Sequence, residues 1–394
     1  MKTIERYPLL EINLNKISDN TKYLVNICEK KGISIAGVIK GVNANPQVVD
    51  VLVEGGCKYI SSSRIEQLIN LKDEGIDNES MLIRMPMKHE IKTVVEKIDI
   101  SLNSEIKTIN LLEKECKKQN KEPKVVLMMD LGDLREGFFN KDELIDTALY
   151  IENNLKYVKL YGIGTNLSCY GSIKPSFENL NYLCEIAKEI EGKIGRELDM
   201  ISGGATTSLP LVLDDNIPEK INNLRIGEAL IVGRDLIDYW GYDLKEMHKD
   251  TMILKAEIIE VKDKPSYPIG EMFLDAFGNK PEYEDIGIRK RAILAVGKQD
   301  FVNDRDLVPM ENGVKIIGSS SDHLIVDIQD SNINYQVGDV MNFGMFYSNA
   351  LYLTASPYVS KHYVKIQELE ELFEKDYYKD PSTFAVQCLY NRKA

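Results

Sequence analysis

The sequence predicts an α/β fold, a TIM-like (β/α)8 barrel followed by a β-rich domain. Two observations predict it. Eight short apolar runs alternate with amphipathic stretches over roughly 220 residues, the rhythm of strands wrapped by helices. After about residue 250 the texture changes to short β-rich runs joined by turns.

The first apolar run is PLLEIN (8–13), a strand that could pair with either part. The eight barrel strands are then SIAGVI (34–39), KYIS (58–61), MLIR (81–84), DISL (99–102), KVVLMMD (124–130), VKLYGIG (158–164), LDMIS (198–202) and LRIGEA (224–229). Amphipathic runs fill the gaps. In SEIKTINLLEKECKKQN, Ile106, Ile109, Leu112 and Cys116 recur near a period of 3.6 and mark a helix face. TMILKAEIIEVK, RKRAILAV, VKIIGSS, HLIVDI and VGDVMNF supply the later strands, and LYLTASPYVSKHYVKI follows in the same texture. The expected division is a barrel over 14–245 and a β-rich domain over 251–394 joined by the strand 1–13, with GYDLKEMHKD (241–250) as the hinge.

With 394 residues, 43% of them hydrophobic, the chain can bury more than one core. Its net charge of −13 argues against nucleic acid or an anionic membrane as the main partner. The first residues, MKTIERYPLLEINLN, lack an apolar stretch of signal-peptide length, and no uninterrupted apolar run is long enough to span a bilayer. The expected location is therefore the cytoplasm. The six cysteines form no CxxC pair and the four histidines are scattered, so neither a zinc site of the usual spacing nor a disulfide framework is expected.

Barrel enzymes place their chemistry at the C-terminal ends of the strands. Lys40 closes the first strand there, Arg135 lies just past the fifth, Asn166 follows the sixth, SGGATTS (202–208) closes the seventh, and Arg225 lies in the eighth. A lysine desolvated at the end of an apolar strand has a lowered pKa and a nucleophilic amine; alternatively it snorkels out of the rim. The loop of Ser202, Gly203, Gly204 and Thr206 offers backbone N–H groups and hydroxyls to an anion, or else caps a helix. Arg225 sits among apolar residues and needs a partner, which could be Glu228, a substrate carboxylate or a heteroaromatic nitrogen. An amine, a guanidinium and an anion loop on one rim match the aldehyde, ring nitrogen and phosphate of pyridoxal 5'-phosphate.

AGVIKGVNANP together with LRIGEALIVGR resembles the alanine racemase family, the fold-type III pyridoxal-phosphate enzymes, across both parts of the chain. DLGDLREG, GIGTNLSCYG and SSSDHLIVDI are similar to the branch of that family that acts on ornithine. The resemblance implies an amino-acid racemase working by two-base α-proton transfer. It implies Lys40 as the Schiff-base lysine and one catalytic base, and Arg225 at the pyridine nitrogen. The 202–208 loop, with backbone at Gly227 and Glu228, is implied as the phosphate grip, with Tyr358 as a phosphate tyrosine one residue out of register. Arg135 is implied at the substrate carboxylate, and Asn166 stands where alanine racemases keep a histidine near the cofactor ring.

The family also implies a head-to-tail homodimer whose second base is a tyrosine from the partner's β domain. Here the corresponding motif reads AVGKQDFV and lacks the tyrosine. Lys298, Ser320, Ser321, Asp322 and His323 are the candidates near that place, His323 equally being a turn residue. A diamino acid such as ornithine needs a carboxylate or several carbonyls for its distal ammonium, and Asp133, Asp300 and Asp322 are candidate carboxylates. Racemisation of lysine, arginine or alanine, decarboxylation on the same scaffold, a non-catalytic cofactor-binding protein and a sugar-phosphate enzyme are the other readings.

Overall fold

The computed structural model describes residues 6–365, so Cys388 and the end of the expected second domain lie outside the described residues. Eight parallel strands close into a barrel: β2 (Ser34–Val38), β3 (Tyr59–Ser62), β4 (Ser80–Leu82), β5 (Ile100–Asn103), β6 (Lys124–Met129), β7 (Lys159–Thr165), β8 (Met200–Ser202) and β9 (Asn223–Ile226). β9 pairs back onto β2, with Ala36 opposite Arg225, and so closes the circle. Each sequence-predicted barrel strand has its counterpart, displaced by at most a few residues at its ends.

Two apolar layers explain why this chain closes. Inside the barrel, Ala36, Tyr59, Met81, Ile100, Leu102, Val126, Met128 and Met200 pack together. Tyr59 and Tyr161 place their hydroxyls 3.1 Å apart there, so the barrel is a filled core rather than a pore. The alternate strand residues pack outward on the helices, for example Ile35, Val125 and Ile163. The helix Ile106–Gln119 buries Ile109, Leu112 and Cys116, but leaves its first residue, Ile106, 44% exposed.

The second part is an antiparallel sheet in the order β12-β15-β10-β11-β14-β13, where β10 is Met252–Pro265, β11 Ile288–Leu294, β12 Leu307–Pro309, β13 Lys315–Ser319, β14 Leu324–Asp327 and β15 Val340–Met345. The first strand, β1 (Leu9–Asn13), runs antiparallel to β10 and parallel to β16 (Ser360–Val364). It then passes directly into the helix Leu14–Glu29, whose apolar side packs on the barrel. The stretch LYLTASPYVSKHYVKI is not uniformly β: a helix, Tyr347–Ala355, precedes β16. The helix puts Asn349, Ala350, Leu353 and Thr354 on one buried face, a three-to-four-residue spacing hidden inside an apolar run.

Polar contacts at the chain crossings and the packing of the helix Tyr347–Ala355, whose Thr354 Oγ1 donates to Gly41 O at 3.2 Å, bind the halves. Asn20 on the first helix donates to His248 O at 2.8 Å and accepts from His248 N at 2.7 Å, fixing the 241–250 segment. Asn13 N donates to Thr251 O at 2.8 Å, so the two chain crossings between barrel and sheet run side by side. No helix among the described residues is long and apolar enough to cross a membrane.

Candidate active site

A cavity of about 600 Å³ opens at the C-terminal ends of the barrel strands, lined among others by Lys40, Arg84, Arg135, Glu136, Asn166, Cys169, Thr206, Thr207, Arg225, Gly227, Glu228, Asp235 and Tyr347. Lys40 opens a single 3-10 turn, Lys40–Val42, immediately after β2. The next two residues, Asn43 and Ala44, take left-handed backbone with φ of 48° and 53°, and the amides of Val42 and Ala44 donate to Ile39 O. Burial pulls the Lys40 ammonium below the ordinary lysine pKa. Cys169 and Glu136 act against that shift, while Arg135 and Arg64 add to it. The ammonium is thus brought into the cavity rather than left on the rim.

Arg225 is buried in β9, at 4% exposure. Its Nη1 donates to Ser202 Oγ, and its Nη2 donates to Thr165 O at 2.7 Å and Asn166 Oδ1 at 3.3 Å. Ser202 Oγ in turn donates to Asn223 Oδ1 at 2.6 Å. None of these partners is a carboxylate, so of the three partners the sequence left open, Glu228 is not the one bonded here. Burial lowers the guanidinium pKa to about 10, which still leaves it charged at neutral pH.

Arg135 forms a two-pronged pair with its neighbour Glu136, and both line the cavity. Asn166 lies between Arg225 and Arg135; turning its amide over presents the oxygen to Arg135 instead.

The glycine-rich loop divides its hydroxyls. Ser202 is occupied behind Arg225, and Ser208 Oγ donates to Gly203 O at 2.7 Å, closing the loop on itself. Thr206 and Thr207 line the cavity. Thr207 Oγ1 is buried without a hydrogen-bond partner, and Thr206 Oγ1 accepts from Ala229 N at 3.4 Å. Gly204 has φ of +112° and sends its carbonyl to Arg225 N at 2.9 Å, so Gly203 and Gly204 shape the loop without themselves lining the cavity.

Glu228 is 5% exposed. Its Oε1 accepts from the amides of Arg234 (2.8 Å) and Asp235 (3.1 Å), while Oε2 has no partner. Burial first, and then the Asp235 carboxylate, push the Glu228 pKa up to about 8. Asp235 opens a π-helical turn, Asp235–Tyr239, and is itself raised to about 6 by burial and Asp238.

Several expected site residues fall elsewhere. Tyr358 is 59% exposed and does not line the cavity. The tyrosine that does is Tyr347, from the helix that the run of late strands concealed; its ring packs where a Cβ on Gly41 would lie 2.7 Å from Cε2. Asp133 is buried with its carboxylate turned to the amides of Cys169, Tyr170 and Ile173, so it pins a loop and does not line the cavity. Asp300 is buried and accepts from Ser356 Oγ at 2.8 Å.

Lys298, Ser320, Ser321, Asp322 and His323 group on the β domain and none lines the Lys40 cavity of the same chain. Lys298 N donates to Ser320 O at 2.9 Å, and its ammonium lies 4.2 Å from the Phe277 ring centroid. Ser320 Oγ is 3.3 Å from His323 Nδ1, and Asp322 accepts from Gln299 at 3.0 Å. The carboxylates that do face the cavity are Glu136, Glu228 and Asp235. Glu136 was signalled only by its place beside Arg135, and Asp235 by no spacing, since the helix Glu228–Ile231 ends and Gly233 turns left-handed before it.

Residues 12–235 match the family described as alanine racemase, N-terminal domain. The chain is 44% identical over 355 residues to ornithine racemase of Acetoanaerobium sticklandii, covering 90% of this chain and 99% of that one. It is 37% identical to lysine racemase of Thermotoga maritima, covering 91% and 98%. Among solved structures, alanine racemase from Streptomyces lavendulae superposes with a TM-score of 0.72 at 14% identity over 92% of this chain and 98% of that one, a likeness of fold. A matched domain that spans the Lys40 turn, the glycine-rich loop and Arg225, together with relatives aligned over nearly the whole chain, places this protein in the alanine racemase family of pyridoxal-phosphate enzymes.

Proposed function

We propose that the chain racemises a diamino acid, ornithine, by moving the α-proton between two bases. The observation that carries this is the shared cavity of Lys40, Arg225, the threonine loop and the Arg135–Glu136 pair. The residues fit the cofactor. Lys40 is desolvated, Arg225 is a buried cation at neutral pH suited to a ring nitrogen, and Thr207 Oγ1 is an orphaned hydroxyl where a phosphate finds a donor. When bound there, pyridoxal phosphate supplies the electron-withdrawing ring that stabilises negative charge at the α-carbon.

In this reading Lys40 Nζ takes or returns the proton on one face, its lowered pKa making the neutral amine available. Arg135 receives the α-carboxylate. Glu136, released in part from Arg135 by that carboxylate, supplies a negative group for the distal ammonium. Tyr347 is a donor rather than the second base, because burial, then Glu228, Cys169 and Asp235, push its hydroxyl far above the ordinary tyrosine pKa. The second base comes from the β domain of a partner subunit in a head-to-tail dimer, with Lys298, Asp322 and His323 as its candidates; their separation from the Lys40 cavity of their own chain supports this. The 44% identity to an ornithine racemase, against 37% to a lysine racemase, supports ornithine within the class. Four buried free thiols, Cys28, Cys57, Cys116 and Cys184, suit a reducing, cytoplasmic setting.

The test is incubation of the yellow, cofactor-loaded protein with L-ornithine, L-lysine, L-arginine or L-alanine in deuterium oxide. Loss of optical rotation with L-ornithine fastest, deuterium at the α-carbon and no carbon dioxide are expected. Carbon dioxide release, or alanine turned over in preference to ornithine, refutes the reading.

A further inference from the structure

The glycine-rich end of the cavity has an unusual electrostatic composition. Thr206, Thr207, Gly227, Glu228, Asp235 and Tyr347 all line the cavity, and Ala229 N donates to Thr206 Oγ1 at 3.4 Å, which sets Glu228 beside the threonine loop with a second carboxylate, Asp235, on the same cavity. Of the cavity's cations, Arg225 lies on the strand that leads into Glu228 and is bonded to Ser202 behind the loop, while Lys40, Arg84 and Arg135 belong to other strand ends. A phosphate seated at the threonine loop carries close to two negative charges at neutral pH. Two ionised carboxylates beside it would repel it.

Glu228 resolves the conflict through its hydrogen bonding. Oε1 is committed as an acceptor to two backbone amides, which fixes the carboxyl plane. Oε2 is buried and unpartnered, on a residue that lines the cavity. A buried acceptor facing an anion is unfavourable, whereas the same oxygen carrying a proton becomes a donor. We propose that Glu228 is a phosphate-binding residue: its neutral carboxylic acid donates from Oε2 to the phosphate of the cofactor, with Asp235 as the positioning group that keeps the proton there. This rests on the cofactor placement given above and extends it from the loop backbone to an acidic side chain.

The charged and titratable groups that act on Glu228 are known. Asp235 on the π-helical turn raises its pKa, Arg234 and the amides of Arg234 and Asp235 lower it, and Tyr347 and Tyr239 sense its charge from two other sides. With a value of about 8, the acid is protonated through neutral pH and ionises in mild alkali. The grip on phosphate is therefore present below that value and is lost as pH rises through it, by up to about tenfold per pH unit. A bound dianion displaces the midpoint further upward.

The test is phosphorus NMR of the holoenzyme from pH 6.5 to pH 10, with cofactor release timed at each pH. In the wild type, the bound phosphate resonance should move with a midpoint at or above about 8, and release should accelerate over the same interval. In Glu228→Gln, whose amide N–H₂ replaces the donor, the cofactor should be retained at neutral pH and the resonance should not move in that interval. Glu228→Ala should release cofactor faster at neutral pH. Asp235→Asn should move the wild-type midpoint to lower pH, and keeps the question answerable if the Glu228 variants fold poorly. An alkaline titration unchanged in Glu228→Gln, or equal loss of cofactor from the Gln and Ala variants, overturns the proposal while leaving the cofactor site intact. Absence of any bound phosphorus signal in the wild type overturns the proposal and the cofactor placement together.

Discussion

Desolvation decides the chemistry of individual residues here. Lys40 loses part of its hydration at the end of β2 and becomes a weaker acid-binding amine, so its neutral form is populated at lower pH than for a free lysine. Uptake of pyridoxal phosphate by the cofactor-free protein should accelerate with rising pH, with a midpoint below the ordinary lysine value. Lys40→Ala should abolish both the yellow absorbance and racemisation; a Lys40→Ala protein that keeps colour and activity would remove Lys40 from the reaction. At this scale the sequence was informative where an unusual residue interrupts an apolar pattern, as Lys40 and Arg225 do. It was silent on Tyr347, because a tyrosine in an apolar run carries no sign of where its ring points. It could not place Asp133, because a carboxylate two residues from Arg135 looks the same in sequence whether it turns to a cavity or, as here, to three backbone amides.

At the scale of elements, loops are held by a few polar anchors and by close backbone approach. Burial alone would raise the Asp133 pKa, but the amides of Tyr170, Ile173, Gly171 and Cys169 outweigh it and hold the carboxylate below its usual range. A depressed carboxylate contributes stability above its unfolded pKa and loses it as pH falls through the folded one. Asp133→Asn should thus lower stability at neutral pH and flatten its decline in acid, as read by urea unfolding at pH 7 and pH 3. Gly41 is a second element-level constraint: a Cβ there would meet Ile231 Cδ1 at 2.4 Å and Tyr347 Cε2 at 2.7 Å. Gly41→Ala should cost about 1–3 kcal/mol of stability and loosen cofactor binding by displacing the Tyr347 ring; unchanged thermal unfolding and cofactor affinity would disprove that packing role. The barrel elements were legible because eight buried strands flanked by amphipathic helices repeat one pattern. The helix Tyr347–Ala355 was not, since its periodicity is short and lies inside a run of apolar and β-prone residues. β12, only three residues long, offered too little pattern to find.

For the whole molecule, the division of labour between barrel and sheet carries the main expectation. The barrel cavity holds Lys40, while Lys298, Asp322 and His323 lie on the sheet domain and do not line that cavity. If two chains complete one site, mixing an inactive Lys40→Ala protein with an inactive Asp322→Ala or His323→Ala protein should restore part of the activity through hybrid dimers. No recovery despite proven subunit exchange would mean each chain works alone. The sequence could suggest such an arrangement only by resemblance, because composition and periodicity describe a chain and not its assembly.

The chain passes between its two halves twice, once where β1 enters the first helix and once before β10, and Asn13 N bonds Thr251 O where these passages meet. A double ribbon resists twisting far more than a lone tether and leaves bending about one axis as the soft motion. The joint therefore resists a swivel of one half against the other. The same ribbon makes the joint tolerant of damage: a single cut in the 241–250 segment would still leave β1, threaded between β10 and β16, holding the barrel to the sheet.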